Sequence, residues 1–316
     1  MLICQAITLL VFKMGTDGML LANCISYFIA ALYLEFHVRV DKWIDRKYIK
    51  RKTLYSLLSY SAPLMPNSIV WWLVASSDRY VIAYFLGSSD NGIYSISGKF
   101  SQLLTFAVTV FQLSWQENAI LEKDNEGRDA FYTATFNTYM KLLLGGYLIV
   151  LPVIKLLIPI LLDESYQIGY LYNPILLIGA IMSAFSQFYG SAYLVFKKTT
   201  GAFFTTVFAA VVNLVIGVGL INKIGLFAPA LGTALAFFTQ WILRSIQMRE
   251  YFKVKIDIKS FLFLCLCGVI VIYMYYINNI VIQIIAFILS TGIFIVINKQ
   301  FIKSILLSVV KKMKRS

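Results

Sequence analysis

Residues 39–57 read RVDKWIDRKYIKRKTLYSL, a basic break with seven Lys and Arg between two long apolar stretches. Four further breaks, at 117–133, 196–200, 244–259 and 298–316, bring the total to 22 of the chain's 28 Lys and Arg. The breaks between them, at 13–16, 87–91, 163–168, 223–225 and 278–279, hold only Lys13 and Lys223. Positive charge at every second break is typical of polytopic α-helical membrane proteins whose basic loops face the cytoplasm. The pattern predicts a multi-pass protein with the 39–57 loop and the C-terminus in the cytoplasm.

The overall composition indicates the same class. The chain is 59% hydrophobic and only 14% charged, with a mean hydropathy of +0.77. A globular domain of this composition would not stay soluble. The formal net charge of +13 lies mostly in the predicted cytoplasmic loops and tail, where attraction to anionic lipid headgroups explains it. We therefore predict membrane lipids as partners and no nucleic acid.

Ten apolar spans follow from the pattern: 1–12, 17–37, 58–86, 92–118, 134–162, 169–195, 201–222, 226–243, 259–277 and 279–297. Most reach the ~20 residues that cross the hydrocarbon core as a helix. The predicted fold class is therefore all-α, a transmembrane bundle of about nine or ten helices. The first span is short and lacks the basic start of a signal peptide, so we expect a chain that begins partway through a span of a longer protein.

Span 58–86 is unusually polar. Pro63 and Pro66 are expected to break or bend it, and Asn67 follows them. A charge in the hydrocarbon costs about 2.5–3.5 kcal/mol, so Asp78 and Arg79 are expected to avoid lipid. Trp71 lies mid-span, where two interpretations stay open: core packing, or the wall of a sugar-stacking cavity.

Span 92–118 carries a polar stripe. Its members are spaced by three or four residues, which places them on one helix face: Ser95, Lys99, Gln102, Thr105, Thr109, Gln112 and Gln116. The short loop Gly87 to Asn91 predicts a tight antiparallel hairpin with span 58–86. Arg79 and Lys99 then share a depth about 10 Å below the outer surface, which predicts a charge cluster with Asp78. The cluster is either a structural ion network or part of a polar cavity wall, and the length of the stripe favours the cavity.

The run from Asp78-Arg79-Tyr80 through Gly87 to Gly92-Ile-Tyr94 resembles the start of the second lobe of Wzx-type polysaccharide flippases. These proteins form the polysaccharide transport branch of the multidrug/oligosaccharidyl-lipid/polysaccharide (MOP) exporter superfamily. A second patch, from Asn213 to Asn222 and on to Gly232-Thr-Ala234, is similar to the eleventh and twelfth helices of that family, although Pro229 replaces an expected small residue.

The resemblance implies a MOP/MATE-like organisation. Residues 1–38 would be the end of a truncated N-terminal lobe, and 39–57 a basic cytoplasmic loop between lobes. A complete six-helix C-terminal lobe would occupy 58–250. An additional helix pair, 251–298, and a basic cytoplasmic tail, 299–316, would follow.

The resemblance also implies a function. It indicates an inner-membrane flippase, and not an enzyme, that moves a polyprenyl-pyrophosphate-linked oligosaccharide for a polysaccharide such as O-antigen. A sugar needs a cavity rich in hydrogen-bonding groups and a pyrophosphate needs cations, which the stripe and Arg79 with Lys99 would supply. Asp78 would either adjust the electrostatic environment of Arg79 or bind and release a proton in a proton-coupled transport cycle. Lipid-linked oligosaccharide is the expected partner, other polysaccharide assembly proteins are further candidates, and no cofactor or metal is predicted.

Three alternatives stay open at this point. A multidrug or toxic-compound exporter of the same superfamily would prefer acidic cavity residues, whereas this region offers one acid and two bases. A membrane polymerase or acyltransferase would need a large outer loop or a His/Asp cluster, neither of which the sequence indicates. The third alternative is an inactive gene remnant.

Overall fold

The computed structural model describes Thr8 and residues 15–38, 50–62, 64–304 and 307. Apart from Thr8, the predicted first span lies outside these residues, as do most of the 39–57 loop and the end of the tail. The backbone of Asn67 is described, but its side chain lies outside the described part.

Eleven α-helices form in the described residues, which contain no strand. They are α1 (Gly15–Val38), α2 (Arg51–Ser61), α3 (Leu64–Phe85), α4 (Ser88–Leu121), α5 (Arg128–Leu161), α6 (Glu164–Gln167), α7 (Asn173–Val195), α8 (Thr199–Ile224), α9 (Phe227–Gln247), α10 (Ile258–Tyr276) and α11 (Ile280–Ile297). Two 3₁₀ turns, Ile168–Tyr172 and Met248–Glu250, follow α6 and α9. The all-α fold predicted from the sequence is confirmed.

One predicted span needs correction. Span 58–86 is not a single helix, because α2 ends at Ser61 and α3 begins at Leu64. The interruption coincides with Pro63, whose ring and missing N–H disfavour a continuous helix. Helix α2 also covers 51–57, which the charge pattern had assigned to a loop.

The hairpin between α3 and α4 is tighter than predicted, since only Leu86 and Gly87 connect the helices. The Gly87 amide donates to the Ile82 carbonyl at 3.1 Å. Its φ of 96° lies in the region where a β-carbon is disfavoured, which explains glycine at this position.

Six described helices are long and apolar enough to cross a membrane. They are Leu20–His37, Arg128–Leu161, Glu164–Val195, Thr199–Ile224, Ile258–Tyr276 and Ile280–Ile297. Helices α3, α4 and α9 have 22, 34 and 21 residues, so they are also long enough. Their polar side chains lower their hydropathy, and together with α7 these helices form the site described below.

The chain divides into two compact units, Met1–Ser59 and Tyr60–Ser316. In the first unit, α1 exposes apolar side chains such as Tyr27, Phe28 and Phe36, as expected of a lipid-facing helix. In the second, α9 packs against α7 and α8, α4 against α7, and α3 against α8. Helices α10 and α11 pack on α5. An aromatic core holds this unit together, with Trp115 stacked on Phe188 at 4.1 Å between ring centroids.

A short segment without regular secondary structure, 253–257, attaches α10 to one face of α5. Its backbone bonds the side chains of Thr133 and Asn137, with the Asp257 amide donating to Asn137 Oδ1 at 2.8 Å. Lys141 Nζ lies 2.7 Å from Asp257 Oδ2, and the Ser260 amide donates to Asp257 Oδ1 at the start of α10. The bond from Lys141, followed by those from Ser260, lowers the pKa of the Asp257 carboxyl to about 2.

Candidate functional site

A polar groove runs along α3, α4, α7 and α9 within the second unit. It consists of two cavities of about 260 Å³ and 570 Å³. Trp71, Thr105 and Gln187 line both cavities, so the two adjoin. We call the smaller cavity the Asp78 end and the larger one the Arg244 end. The Asp78 end lies nearer the Leu86–Gly87 turn.

At the Asp78 end, the buried carboxylate of Asp78 accepts three hydrogen bonds. Tyr94 Oη and Thr233 Oγ1 donate to Oδ2 at 2.8 and 2.7 Å, and Asn213 Nδ2 donates to Oδ1 at 3.2 Å. Ser77 Oγ in turn donates to Asn213 Oδ1 at 2.9 Å. The network joins α3 to α4, α8 and α9. Because three donors satisfy the carboxylate, Asp78 connects helices at this point.

Close packing of α8 and α9 places two of these donors. A β-carbon at Gly232 would lie only 2.9 Å from the Asn213 carbonyl oxygen, so glycine allows the two backbones to approach. Thr233 follows Gly232 directly, and its hydroxyl lies 2.9 Å from Asn213 Nδ2. Both residues belong to the second patch that resembles the flippase family.

The structure does not assemble the predicted charge cluster. Arg79 is exposed and lines the Asp78 end, whereas the exposed Lys99 lines neither cavity. No carboxylate of the described residues lies within ion-pair distance of Arg79 or Lys99. The prediction used depth alone, but the Asp78 carboxylate bonds Tyr94, Asn213 and Thr233.

The remaining predicted residues divide between the two ends. Ser95 and Gln102 line the Asp78 end, Gln112 and Gln116 line the Arg244 end, and Thr105 lines both. Thr109 lines neither and donates to the Thr105 carbonyl of its own helix.

Trp71 stands at the junction of the two ends, stacked on Phe237 with ring centroids 5.3 Å apart. It therefore has both features that the sequence left open, because it packs on a core residue and also lines the groove.

Arg244 is a groove residue that the sequence analysis missed, because it was counted among the basic residues of a cytoplasmic break. Its side chain is buried, with 3% of the residue exposed. The guanidinium donates to Thr205 Oγ1, Thr206 Oγ1 and the Ser186 carbonyl at 3.1–3.2 Å. A signal was present in the sequence: Thr233, Phe237, Gln240 and Arg244 are spaced by four, three and four, which places Arg244 on the inward face of α9.

An all-helical bundle with six described helices long and apolar enough to span a membrane is the architecture of a polytopic membrane protein. A model of the family described as "Polysaccharide biosynthesis protein" matches residues 2–115. The solved structure of "Lipid II flippase MurJ, inward closed conformation" superimposes with a TM-score of 0.60 at 16% identity, covering 96% of this chain and 67% of that chain. No curated protein matches the chain. The family match includes the first patch of the predicted resemblance, residues 78–94, and the chain has a MurJ-like fold.

Proposed function

We propose that this protein is a flippase, and not an enzyme, that moves a lipid-linked oligosaccharide across the cytoplasmic membrane for polysaccharide biosynthesis. The observation that carries the proposal is a groove in which hydrogen-bonding side chains lie among apolar ones, with an arginine at each end. The family match and the fold shared with a lipid II flippase support the same function.

The groove suits a substrate with a sugar part and a phosphate part. Gln102, Gln116 and Gln187 offer amide donors and acceptors to sugar hydroxyls, and Trp71 offers an aromatic face. Arg79 lines the groove without a carboxylate among the described residues at ion-pair distance, so its guanidinium can bind a phosphate oxygen. Lys99 would act only through its charge at a distance, because it lines neither cavity.

Transport would follow alternating access between two lobes, in the way of other transporters with a central site. The charge pattern places the basic loops and the C-terminus in the cytoplasm. Lipid-linked oligosaccharide is then the substrate, membrane lipids surround the protein, and other polysaccharide assembly proteins are candidate partners.

The groove is less suited to a cationic drug. Asp78 is the acid that lines it among the described residues, and its carboxylate already accepts three hydrogen bonds. A multidrug exporter would need a carboxylate free to bind a cation, so the lipid-linked sugar is the better substrate class.

The proposal is tested by measuring polysaccharide export per folded molecule in a host that lacks its own flippase. Arg79→Gln is expected to lower export roughly 10–100-fold, because a hydrogen bond to a charged group contributes about 1.5–3 kcal/mol. Arg79→Lys should keep partial activity, since the charge survives and the planar fork is lost. Lys99→Gln, which removes an equal charge outside the groove, should have a smaller effect. Export near wild type in Arg79→Gln would refute a phosphate role for this residue.

A further inference from the structure

We propose that the Arg244 end is a second anion-binding subsite of the groove, which takes the diphosphate of the lipid-linked substrate. This proposal rests on the proposed function and adds a residue that the resemblance did not supply. The first observation behind it is charge: no carboxylate of the described residues lies within ion-pair distance of Arg244. A buried charge without an opposite charge is costly, and a bound anion would remove that cost.

The hydrogen bonds of Arg244 leave room for a ligand. A guanidinium has five N–H donors, and the structure assigns one each from Nε, Nη1 and Nη2 to protein oxygens. All three acceptors are neutral, being two hydroxyls and a carbonyl. Two N–H groups therefore remain, which matches the bidentate way in which arginine binds phosphate.

Helix α7 makes space for the guanidinium. A β-carbon at Gly190 would lie 2.6 Å from Arg244 Nη1. Any larger residue at position 190 would displace the guanidinium from its position beside the cavity. The guanidinium is held by the two threonine hydroxyls, the Ser186 carbonyl and the Tyr193 ring, whose centroid is 5.7 Å from its central carbon, and no salt bridge within the described part of the chain orients it.

A second, independent group in the same cavity also lacks a partner. Gln112 is buried and its Nε2 donates to the Gln187 carbonyl at 2.9 Å and to Ser191 Oγ. Its Oε1 has no hydrogen-bond partner, although the residue lines the Arg244 end. Because Oε1 is itself buried, a ligand hydroxyl would reach it only after the Gln112 side chain turns toward the cavity, so Arg244 is the group that would hold the phosphate. The cavity of about 570 Å³ is within the usual size of ligand sites.

The two arginines lie toward opposite ends of the groove. Arg79 is near the Leu86–Gly87 turn, whereas Arg244 is three residues before the end of α9. With the topology that the charge pattern predicts, Arg244 is on the cytoplasmic side and Arg79 on the outer side. The diphosphate would therefore meet Arg244 on entry and Arg79 before release.

Binding to the purified full chain tests this subsite. The probes are geranylgeranyl diphosphate, geranylgeraniol as its phosphate-free counterpart, and inorganic pyrophosphate. Arg244→Gln should weaken binding of the lipid diphosphate at least tenfold and leave geranylgeraniol unchanged, while Arg244→Lys should be intermediate. Arg249→Gln is the matched control, because it removes an equal charge from an exposed residue in the 3₁₀ turn that follows α9. The affinity of this variant for the lipid diphosphate should stay within twofold of wild type.

Each other outcome decides a separate point. If Arg244→Gln binds like wild type while Arg79→Gln does not, the Arg244 subsite is refuted and the proposed function stands. If the wild-type protein does not bind the lipid diphosphate at all, both the Arg244 subsite and the proposed function are refuted. If inorganic pyrophosphate binds as tightly as the lipid diphosphate, the lipid is overturned as the ligand of this subsite.

A crosslinking experiment covers the case in which Arg244→Gln does not fold. A photoreactive amino acid is placed at Gln116, which lines the Arg244 end, or at Thr109, which is on the same helix and lines neither cavity. Geranylgeranyl diphosphate should crosslink at position 116 and not at 109, and excess pyrophosphate should reduce the yield. Equal yields at the two positions, or none at 116, would refute the subsite.

Discussion

At the scale of single residues, hydrogen bonding distinguishes Asp78 from its neighbour Arg79. Its carboxylate is bonded by side chains from α4, α8 and α9, whereas the neighbouring Arg79 extends into the groove. Adjacent charged residues thus have different surroundings: Asp78 is hydrogen-bonded to three other helices, whereas Arg79 is exposed and is the residue that we propose binds a phosphate.

Tyr94→Phe tests the structural task of Asp78. Removing the hydroxyl deletes one of the two bonds to Asp78 Oδ2 and should destabilise the fold by about 1–3 kcal/mol. Tyr80→Phe is the matched control, because Tyr80 is exposed on α3, and it should have little effect. Thermal unfolding of the purified proteins in detergent measures both changes. Equal melting temperatures for Tyr94→Phe and wild type would show that the network does not stabilise the fold.

At the scale of helices, two contacts place the groove and the additional helix pair. The first is the close approach of α8 and α9 at Gly232, which brings Asn213 and Thr233 to Asp78. The second is the segment 253–257. Its backbone is hydrogen-bonded to the Thr133 and Asn137 side chains of α5, and its Asp257 side chain forms an ion pair with Lys141 of α5.

Gly232→Ala should push α8 away from α9. The added β-carbon meets a backbone oxygen, which cannot rotate away, so we expect a loss of about 1–3 kcal/mol and a weaker Asp78 network. Gly219→Ala on α8 is the control, since a β-carbon there meets no atom within 4 Å. It should leave the melting temperature unchanged or slightly raised. Similar melting temperatures for the two variants would contradict the packing argument.

Asp257 should make stability depend on pH in acid. Its folded pKa of about 2 is below the ordinary value of 3.8, so its stabilising effect is complete above the ordinary value and is lost as the pH falls toward 2. In Asp257→Asn this acid-dependent component of stability should disappear, because the charge is removed, while asparagine keeps the N-cap hydrogen bond. The free energy of unfolding should fall by less than about 1 kcal/mol, since the lost ion pair is partly exposed. Asp257→Ala removes the cap as well and should cost about 1–2 kcal/mol.

Melting temperatures of the three proteins between about pH 2 and pH 7 measure these differences. The gap between wild type and Asp257→Asn should narrow as the pH falls through the window set by the two pKa values. A gap that stays constant over that range would show that the charge on Asp257 does not contribute.

At the scale of the whole molecule, the alternation of basic and neutral breaks predicts how the bundle crosses the membrane. The test uses single cysteines in a background from which the native cysteines are removed. Cysteines at Ser89 and Asn278, both exposed near connections between helices, should react with a membrane-impermeant reagent in intact cells. Cysteines at Lys50 and Lys253 should react only after the cells are opened. Labelling of Lys50→Cys from outside would reverse the orientation.

Features that depend on one helix at a time could be read from the sequence. Hydrophobic length and basic breaks predicted the ends of most described helices to within about four residues, and the short Gly87 to Asn91 loop predicted the α3–α4 hairpin. The exceptions are span 58–86, which is two helices, and α5, which begins at Arg128 and not at residue 134. Depth could also be read, because each residue advances the helix by about 1.5 Å. Residues 51–57 were misassigned because their Lys and Arg marked a loop, although an amphipathic helix tolerates the same residues.

Only the tertiary structure decided which polar side chains meet. Arg79 and Lys99 have similar depths along their helices, yet Arg79 lines the groove and Lys99 does not. Arg244 counted as a loop residue by charge, but packing of α7, α8 and α9 buries it beside the groove. Depth follows from position along a helix, whereas the direction in which a side chain points relative to other helices depends on their rotation and packing. Contacts such as Gly232 against Asn213 set that rotation, and they join residues 19 positions apart, beyond the reach of any local pattern.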